Sequence, residues 1–562
     1  MNKPIIIAIL FVVAVTVCDG TTFEVRIEPH GSLAWTTDSA QTVTVTRLAF
    51  LLSDFRLQRR DGRWVDLPGQ FAFIDPLQNR LSFHLANVPP DSYQRVGFTV
   101  GLNEKTNYGD PSQWPADHPL NPLINVLHWS WQGGYVFFAL EGHYDKDAGF
   151  SLHLAKSPNQ TSINLAASLD LQQDGQIDIA LDVHGLLRSI HFAADESATH
   201  SREGDPLAAM FQTNIARSFF VRAVSAPEAM PISVTVRALM ATNTTPYHFR
   251  VPAGFPIPSL PRDNPLTVEG VTLGARLFHE KLLARDNTLS CASCHKETQA
   301  FSDSPRRFSK GVDEQEGVRN AMPLFNLAWK REFFWDGRAS SLRQQVLMPI
   351  QDAKEMHQPL EKMVEKLAAA PGYTDQFEKA FGSREVSADR VARALEQFVL
   401  TLESSDSKFD RALKGRVELS EKEKRGFELF MTEYDPRRGL TGADCFHCHG
   451  GPLFSDFRFT NNGLDADSAD TGRERVTGNR LDKGKFAIPS LRNVALTGPY
   501  MHDGRFQTLE EVVEHYCTGT KRSATLDPNL AKHPDGGVPL GADDKKALVA
   551  FLKALTEEST QH

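Results

Sequence analysis

Two short cysteine motifs carry the clearest chemistry in this sequence of 562 residues. Residues 291–295 are C-A-S-C-H and residues 445–449 are C-F-H-C-H, so both have the pattern C-x-x-C-H. Two thiols at this spacing can bond to the two vinyl groups of one porphyrin, and the histidine that follows can bind its iron. The motifs predict two covalently bound c-type haems, attached through Cys291, Cys294 and His295 and through Cys445, Cys448 and His449. A zinc or redox-active C-x-x-C pair is the alternative, and the histidine in both copies argues against it.

Composition and the N-terminus restrict the class of protein. The net charge is −9, so no basic excess favours nucleic acid as a partner. Residues 1–20 combine a short positive start with an apolar run, which predicts a removed signal peptide and a periplasmic protein. Cys18 leaves lipid anchoring open as an alternative, and Cys517 is an odd thiol whose simplest interpretation is a small buried side chain.

Residue periodicity divides the mature chain into segments that must position these motifs. Between 21 and 245, short stretches alternate apolar and polar residues, which predicts an all-β sandwich or barrel-like domain. Residues 246–265 are rich in proline and are typical of a linker. Beyond the linker, apolar residues recur at helical spacing, and each half holds one cysteine motif. We therefore expect two mainly α-helical cytochrome c domains, 266–415 and 416–562, with one haem each.

The helical part resembles the di-haem cytochrome c peroxidase family, which includes MauG. Matching motifs occur in the family's order and include F-W-D-G-R at 334–338 and G-P-Y-M-H-D-G at 498–504. The resemblance implies a first haem that reacts with peroxide, a second haem that transfers electrons, and calcium between the halves. It also implies roles for single residues: Trp335 between the haems, Gln345, Pro349 and the acid–base group Glu355 over the first haem, and Asn320, Thr497 and Pro499 as calcium ligands.

Two positions depart from the ordinary peroxidases of that family. No histidine occurs between His295 and His357, so the first haem is expected to lack a second histidine ligand and to be open to peroxide. On the second haem, the position fourteen residues after His502, where those peroxidases have methionine, is Tyr516. Tyrosinate is a hard anionic donor that favours ferric and higher iron states. Both departures resemble MauG and MbnH, whose haems share oxidising equivalents. A core aromatic on an amphipathic helix is the alternative for Tyr516.

The β segment resembles the MbnP-like copper-binding family. The signature is H-W-S-W-Q-G-G-Y-V-F-F-A-L-E-G at 128–142, with L-S-D-F-R-L at 52–57 upstream. Members bind copper through histidines and, in some, through a tryptophan oxidised to kynurenine, and imidazole suits copper. Two candidate sites follow: His30 and His84 as copper ligands with Trp35 as the modified residue, or a competing site at His128 with Trp129 or Trp131. At each position a surface histidine or a core tryptophan is the alternative.

Together the two resemblances give one hypothesis of function. The di-haem part is expected to use hydrogen peroxide to oxidise a tryptophan of the attached β domain to kynurenine, which forms or tightens a copper site. A short tether raises the local concentration of such a substrate to about the mM scale. Three alternatives stay open. They are peroxide removal fed by a small cytochrome or copper-protein electron donor, copper capture with the haem part as an accessory, and electron transfer alone.

Overall fold

The computed structural model describes residues 21–129, 133–172, 175–193, 196–225 and 244–558. Strands dominate the described residues up to 225 and helices dominate from 268 onward, which confirms the predicted order of a β region and a helical region. The predicted signal peptide, residues 1–20, and Trp131 lie outside the described residues. Within the described ranges, no helix combines the length and apolar character needed to cross a bilayer.

The described part of the β region contains two sheets and four α-helices. Its strands are β1 (Thr21–His30), β2 (Ala34–Thr36), β3 (Thr42–Arg59), β4 (Trp64–Leu67), β5 (Ala72–Ile74), β6 (Ser82–Val88), β7 (Ser92–Val100), β8 (Val136–Tyr144), β9 (Ala148–Ala155), β10 (Thr161–Asp170), β11 (Gly175–Asp182), β12 (Ala198–Thr199) and β13 (Phe219–Ser225). Its helices are α1 (Glu104–Asn107), α2 (Pro122–Asn125), α3 (Val183–Leu186) and α4 (Pro206–Arg217).

The two sheets enclose an apolar core. The smaller sheet has the strand order β13-β11-β1-β6, and the larger has the order β10-β7-β3-β8-β9-β12, with β2, β4 and β5 also paired to β3. Every described residue of β8 is buried, as expected for a strand in the middle of a covered sheet. Phe23 and Ile179 of the smaller sheet and Phe50 and Phe138 of the larger are all buried in the same core, so the predicted sandwich is the observed arrangement.

The helical region contains longer helices and one small two-stranded sheet. Its elements are α5 (Val268–Phe278), α6 (Cys291–Cys294), α7 (Leu342–Gln351), α8 (Leu360–Ala369), α9 (Tyr373–Phe381), α10 (Ala388–Leu400), α11 (Lys408–Leu413), α12 (Glu421–Met431), α13 (Phe446–His449), β14 (Phe459–Thr460), α14 (Glu474–Thr477), β15 (Phe486–Ala487), α15 (Leu509–Glu514), α16 (Pro528–Ala531) and α17 (Ala542–Ala554).

Two pairs of helices repeat the same contact in the two helical halves. α5 crosses α10 where a Cβ on Gly274 would lie 2.0 Å from the carbonyl oxygen of Ala394. α12 crosses α17 where a Cβ on Gly426 would lie 2.0 Å from the carbonyl oxygen of Ala547. A side chain of any size would separate either pair, so glycine sets the distance between the helices. The two halves therefore share one packing pattern, and each places a cysteine motif beside it.

The proline-rich segment predicted as a linker, 246–265, packs against the first helical half. Phe255 is buried in the core that contains Trp329, and the indole Nε1 of Trp329 donates a hydrogen bond of 2.7 Å to the carbonyl oxygen of Pro256. Asn264 is also buried. The segment is a fixed connection, while the exact domain boundaries on either side of it stay predictions.

The β region also contacts the second helical half directly. Nε2 of His143 in β8 lies 2.7 Å from the carbonyl oxygen of Leu526. β9 approaches α16 so closely that a Cβ on Gly149 would lie 2.3 Å from the carbonyl oxygen of Pro528. Residues of β8 and β9 therefore face the part of the chain that carries the second cysteine motif.

Candidate haem and metal centres

The first cysteine motif presents an oriented histidine. α6 starts at the N-cap Ser290, whose side chain forms a capping box with Ser293, and the helix ends at His295. Nδ1 of His295 lies 2.8 Å from the carbonyl oxygen of Phe301. This hydrogen bond holds the ring and leaves Nε2 as the nitrogen for iron.

The residues predicted around the first haem line one cavity of about 550 Å³. This volume lies in the range of small-molecule and cofactor sites. The cavity wall includes both thiols, so a porphyrin bonded to them would fill it. Its lining includes all the predicted first-haem residues: Cys291, Cys294, His295, Trp335, Gln345, Pro349 and Glu355. The structure therefore brings these side chains together, and their catalytic roles stay proposals.

Glu355 has the electrostatics of an acid–base group. Burial, with a smaller contribution from the neighbouring Asp352 carboxylate, raises the pKa of its carboxyl to about 7, and Arg338 opposes the shift. A carboxyl that titrates near neutral pH can both accept and return a proton. Glu355 thus lies in the wall of the first-haem cavity and has a pKa suited to transferring protons there.

Trp335 lies at the junction of the two helical halves. Its indole Nε1 donates a hydrogen bond of 2.8 Å to the carbonyl oxygen of Asn320. Its own carbonyl oxygen accepts a hydrogen bond of 2.7 Å from the backbone of Ala487 in β15, which belongs to the second half. The ring also borders the first-haem cavity. This position suits a residue that passes electrons between the two haems.

The predicted calcium ligands lie near the same junction. The backbone N–H of Asn320 donates a hydrogen bond of 2.8 Å to the carbonyl oxygen of His502, in the loop that also carries Thr497 and Pro499. The side-chain amide of Asn320 donates to the carbonyl oxygen of Arg307. Oxygen donors are thus available where the halves meet, and calcium binding stays a prediction.

The second cysteine motif repeats the histidine geometry of the first. Nδ1 of His449 lies 3.0 Å from the carbonyl oxygen of Phe454. Tyr516 lies in a π-helical turn, His515–Gly519, that continues α15, and such turns are frequent at functional sites. Nδ2 of Asn462 donates to the Tyr516 hydroxyl over 3.3 Å.

Tyr516 is a half-buried phenol close to the second motif. Its pKa is raised to about 12, mainly by burial and to a lesser extent by Cys448 and Cys445, while the hydrogen bond from Asn462 opposes the shift. As an iron ligand, the side chain would lose this proton to the metal. The segment around Tyr516 thus forms α15 followed by a π-helical turn at the tyrosine.

The structure does not bring together the predicted copper ligands His30 and His84. On β1, His84 is paired with Glu24, six residues before His30, so at about 3.3 Å per residue the histidines are about 20 Å apart. Both are exposed. Trp35 instead stacks on His184, with ring centroids 4.4 Å apart. Spacing in the sequence could not reveal the register that separates these residues.

Three buried histidines that the sequence analysis missed form a candidate metal centre. His153 of β9, His200 and His447 each offer one ligand nitrogen, and these nitrogens lie within 4.8 Å of one another. Burial lowers the pKa of His153 to about 3 and also lowers the pKa of His447. Neutral imidazole is the form that binds metals. His447 lies inside the second C-x-x-C-H motif, so the centre joins the β region to the haem attachment segment.

A carboxylate lies against each ring of this three-histidine centre. Nε2 of His153 lies 2.8 Å from Glu141 Oε1, and Nε2 of His447 lies 2.9 Å from Asp444 Oδ1. Nδ1 of His200 contacts Glu433 Oε1. Carboxylates in this position orient metal-binding histidines and raise their basicity.

Trp129 packs against this centre. Its ring lies 5.5 Å from the His200 ring and 5.8 Å from the His153 ring, centroid to centroid. Trp129 lines both a cavity of about 920 Å³, which reaches His153 and His447, and a second cavity of about 350 Å³, which reaches His200. The predicted competing ligand His128 instead packs edge-on against Tyr135, with centroids 4.5 Å apart, outside the three-histidine centre.

Comparison with known proteins finds similarity in both regions of the chain. The di-haem cytochrome c peroxidase model matches residues 268–418, and the MbnP model matches residues 14–201. The methylamine utilization protein MauG of Methylorubrum extorquens is 37% identical over 324 residues, which cover 55% of this chain and 84% of that protein. The cytochrome c551 peroxidase of Nitrosomonas europaea is 35% identical over 312 residues, covering 54% of this chain and 85% of that protein.

A solved structure is also similar. It is the crystal structure of a MauG-like protein associated with microbial copper homeostasis, with 33% sequence identity and a TM-score of 0.50. The match covers 56% of this chain and 96% of that one. The helical region of this chain therefore corresponds to a nearly complete MauG-like protein, to which a β region is joined.

Proposed function

This chain belongs to the di-haem cytochrome c peroxidase family that includes MauG, and carries an MbnP domain; from this premise we propose that it oxidises its own β domain. The proposed oxidant is hydrogen peroxide, the substrate is Trp129, and the product is kynurenine beside a copper site. The reaction takes place in the periplasm, to which the predicted signal peptide directs the chain.

One observation carries this proposal, namely a row of aromatic rings from Trp129 to the second haem attachment segment. The Trp129 and His200 ring centroids are 5.5 Å apart, and the His200 and His447 centroids are 4.9 Å apart. His447 precedes Cys448, the second attachment thiol, directly in the chain. Among the described residues no comparable link supports Trp35, which stacks on His184 in the β region. We therefore favour Trp129, the earlier alternative, over Trp35.

The residues of the first-haem cavity have separate tasks in this proposal. The first haem, when bound, supplies the iron chemistry with peroxide. Glu355 takes the proton from the incoming peroxide and returns it to the outer oxygen, which leaves as water. Gln345 holds the peroxide by hydrogen bonding, and Pro349 limits the space above the iron. Trp335 then carries electrons from the second half of the chain to the first.

The oxidation of Trp129 balances with two molecules of peroxide. Each peroxide is reduced to two water molecules by two electrons and two protons from Trp129, and two water molecules at the indole supply the oxygen atoms, so that the pyrrole C–C double bond is cleaved to give N-formylkynurenine. Water then hydrolyses the formamide to kynurenine and formic acid. Tyr516 is proposed to bind the second haem iron as phenolate and to favour its oxidised states. Electrons leave Trp129 by way of His200 and His447.

The residues beside Trp129 are suited to a copper ion. His153 and His200 are buried imidazoles from the β region, and imidazole is a good ligand for copper. The carbonyl and aniline groups formed from the indole would add polar donors at the same point. Oxidation of Trp129 would in this way create or tighten the copper site.

Peptide mass mapping tests the proposal. The haem-loaded protein is treated with peroxide, digested and compared with a His295→Ala variant and with untreated protein. The mass of kynurenine is expected at Trp129 in the treated wild type only, and Trp35 serves as the internal control. Unmodified Trp129 despite consumption of peroxide would contradict the proposal and would favour a peroxidase that uses an external electron donor.

A further inference from the structure

The three-histidine centre differs from a site within one domain because His447 comes from the haem attachment segment. We propose that His447 is the third ligand of a copper ion held by His153 and His200, so that the β domain and the second haem domain share one metal. This inference rests on the proposed copper site, but it does not require that Trp129 be oxidised.

Each of the two histidines from the β domain has one ring nitrogen that is available to bind a metal. Nε2 of His153 is taken by Glu141, and Nδ1 of His200 is taken by Glu433. The opposite nitrogens, Nδ1 of His153 and Nε2 of His200, are buried and have no hydrogen-bond partner within the part of the chain that the structure describes. Leaving such buried groups unpaired is unfavourable, and a metal ion would satisfy both.

His447 is held in place to complete the set. Its ring centroid lies 4.9 Å from that of His200 and 5.7 Å from that of His153. Asp444 lies 2.9 Å from its Nε2, and the ammonium group of Lys532 lies 3.3 Å from the same atom. Three nitrogens bound at about 2.0–2.1 Å to one ion would be about 3.5 Å apart. The rings, whose nitrogens now lie within 4.8 Å of one another, would therefore move together slightly on binding.

The surrounding charges favour an ion of low charge. Each carboxylate behind the histidines already faces one cation. The pairs are Arg47 with Glu141 at 2.6 Å, Arg202 with Glu433 at 2.7 Å, and Lys532 with Asp444 at 2.9 Å. The charges of the carboxylates behind the histidines are thus neutralised by these cations, so a buried metal ion adds its full charge to the site. Because the cost of burying charge rises steeply with charge, the singly charged Cu(I) is favoured over Zn(II).

The shared ligand has two consequences. Copper binding would fix the β domain against the second haem domain, since neither supplies more than two of the three histidines. Copper binding would also change the environment of the second haem, because His447 lies between the thiol-bearing Cys445 and Cys448. A copper ion at this centre should therefore alter the absorption spectrum of that haem.

The experiment compares haem-loaded wild type with His447→Gln and with His143→Gln as the matched control. Glutamine at 447 retains a side-chain N–H for Asp444 but removes the imidazole. His143 is another buried histidine at the same interface, 2.7 Å from Leu526 through Nε2, and it lies outside the centre. Each protein is titrated with Cu(I) and with Zn(II). The copper protein is then oxidised, and the imidazole nitrogens on Cu(II) are counted by pulsed EPR.

Three coordinated nitrogens are expected in the wild type and in His143→Gln, and two in His447→Gln, with Cu(I) bound at least about tenfold more weakly. The change in the second-haem spectrum on adding copper should disappear in His447→Gln alone. Equal affinity and three nitrogens in His447→Gln would overturn the inference, as would tighter binding of Zn(II) than of Cu(I). The haem content of each variant is measured first. Should His447→Gln lose its second haem, Asp444→Asn replaces it, with an expected loss of about 10–100-fold in copper affinity and an intact haem.

A Trp129→Phe variant separates this inference from the proposed function. It cannot form kynurenine but keeps all three histidines, so three coordinated nitrogens are expected in it as well. Peptide mapping of Trp129 in the wild type reports on the proposed function alone. Loss of nitrogen coordination in Trp129→Phe, together with kynurenine in the wild type, would mean that the modified tryptophan and not His447 is the third ligand.

Discussion

Replacing Glu355 with glutamine should separate catalysis from stability at the first haem. Glutamine has nearly the same shape but can neither accept nor return a proton. Acid–base groups of this kind contribute about a hundredfold to ten-thousandfold to rates. We therefore expect kcat/KM for peroxide to fall by at least about a hundredfold in Glu355→Gln.

The pH dependence follows from the raised pKa of Glu355. In the folded protein the carboxyl has a pKa of about 7 because of its burial and the nearby Asp352, against an ordinary value of 4.5. The carboxylate form must take the proton from peroxide, so kcat/KM of the wild type should rise with pH and level off above about 7. Glu355→Gln should show no such rise.

The same pKa predicts a gain in stability on removing the charge. Because Glu355 ionises less readily in the folded than in the unfolded chain, the stability of the wild type falls between pH 4.5 and about 7, and the full cost is present above that range. The difference between a pKa of 4.5 and a pKa of about 7 corresponds to about 3 kcal/mol, at about 1.4 kcal/mol for each pKa unit. Glu355→Gln should therefore be more stable than the wild type by up to about 3 kcal/mol at pH 8, with little difference at pH 4.

Stopped-flow measurement of peroxide reduction and denaturant unfolding, each from pH 4 to pH 9, test both effects. Glu361→Gln, at an exposed position at the start of α8, is the control and should change neither quantity. The reasoning fails if Glu355→Gln reacts with peroxide as fast as the wild type, or if the wild-type rate is independent of pH.

Three further outcomes are expected. Tyr516→Met should raise the reduction potential of the second haem and suppress kynurenine formation, as measured by redox titration and peptide mapping; an unchanged potential would exclude Tyr516 as a ligand. Trp335→Phe should slow electron transfer from the second haem to the first in flash-photolysis experiments but leave peroxide binding unchanged, and slower peroxide binding would indicate a structural role only. Gly426→Ala should destabilise the fold by about 1–3 kcal/mol, because its Cβ would lie 2.0 Å from the Ala547 carbonyl oxygen, whereas Gly541→Ala, whose Cβ meets nothing within 4 Å, should not; equal unfolding curves would contradict this packing argument.

The fold and the first-haem site follow closely from local features of the sequence. Period-two alternation before residue 225 and helical spacing after 268 gave the order of the β and helical regions. The residues predicted around the first haem, including Glu355 and Trp335, line one cavity because their family motifs keep a fixed order around α6 and α7. The sequence analysis predicted two helical halves with one cysteine motif each. It did not predict the close contact between α5 and α10 at Gly274 and Ala394.

The three-histidine centre could not be predicted in the same way. His153, His200 and His447 come from three distant segments, and they meet only because β9 packs against the second haem domain. The sequence contained one signal, the second histidine inside the motif 445–449, which haem attachment does not need. The sequence does not reveal the strand register that keeps His30 and His84 apart, so it could not exclude them as copper ligands.

The most direct test of the central claim is a peroxide titration of the haem-loaded protein, followed by quantitative mapping of Trp129. If the chain oxidises its own tryptophan, kynurenine at Trp129 should increase with added peroxide and reach completion near two equivalents per chain, with Trp35 unmodified. The yield per chain should be independent of protein dilution if the oxidation occurs within one chain. Peroxide consumed over many equivalents with Trp129 intact would contradict the account.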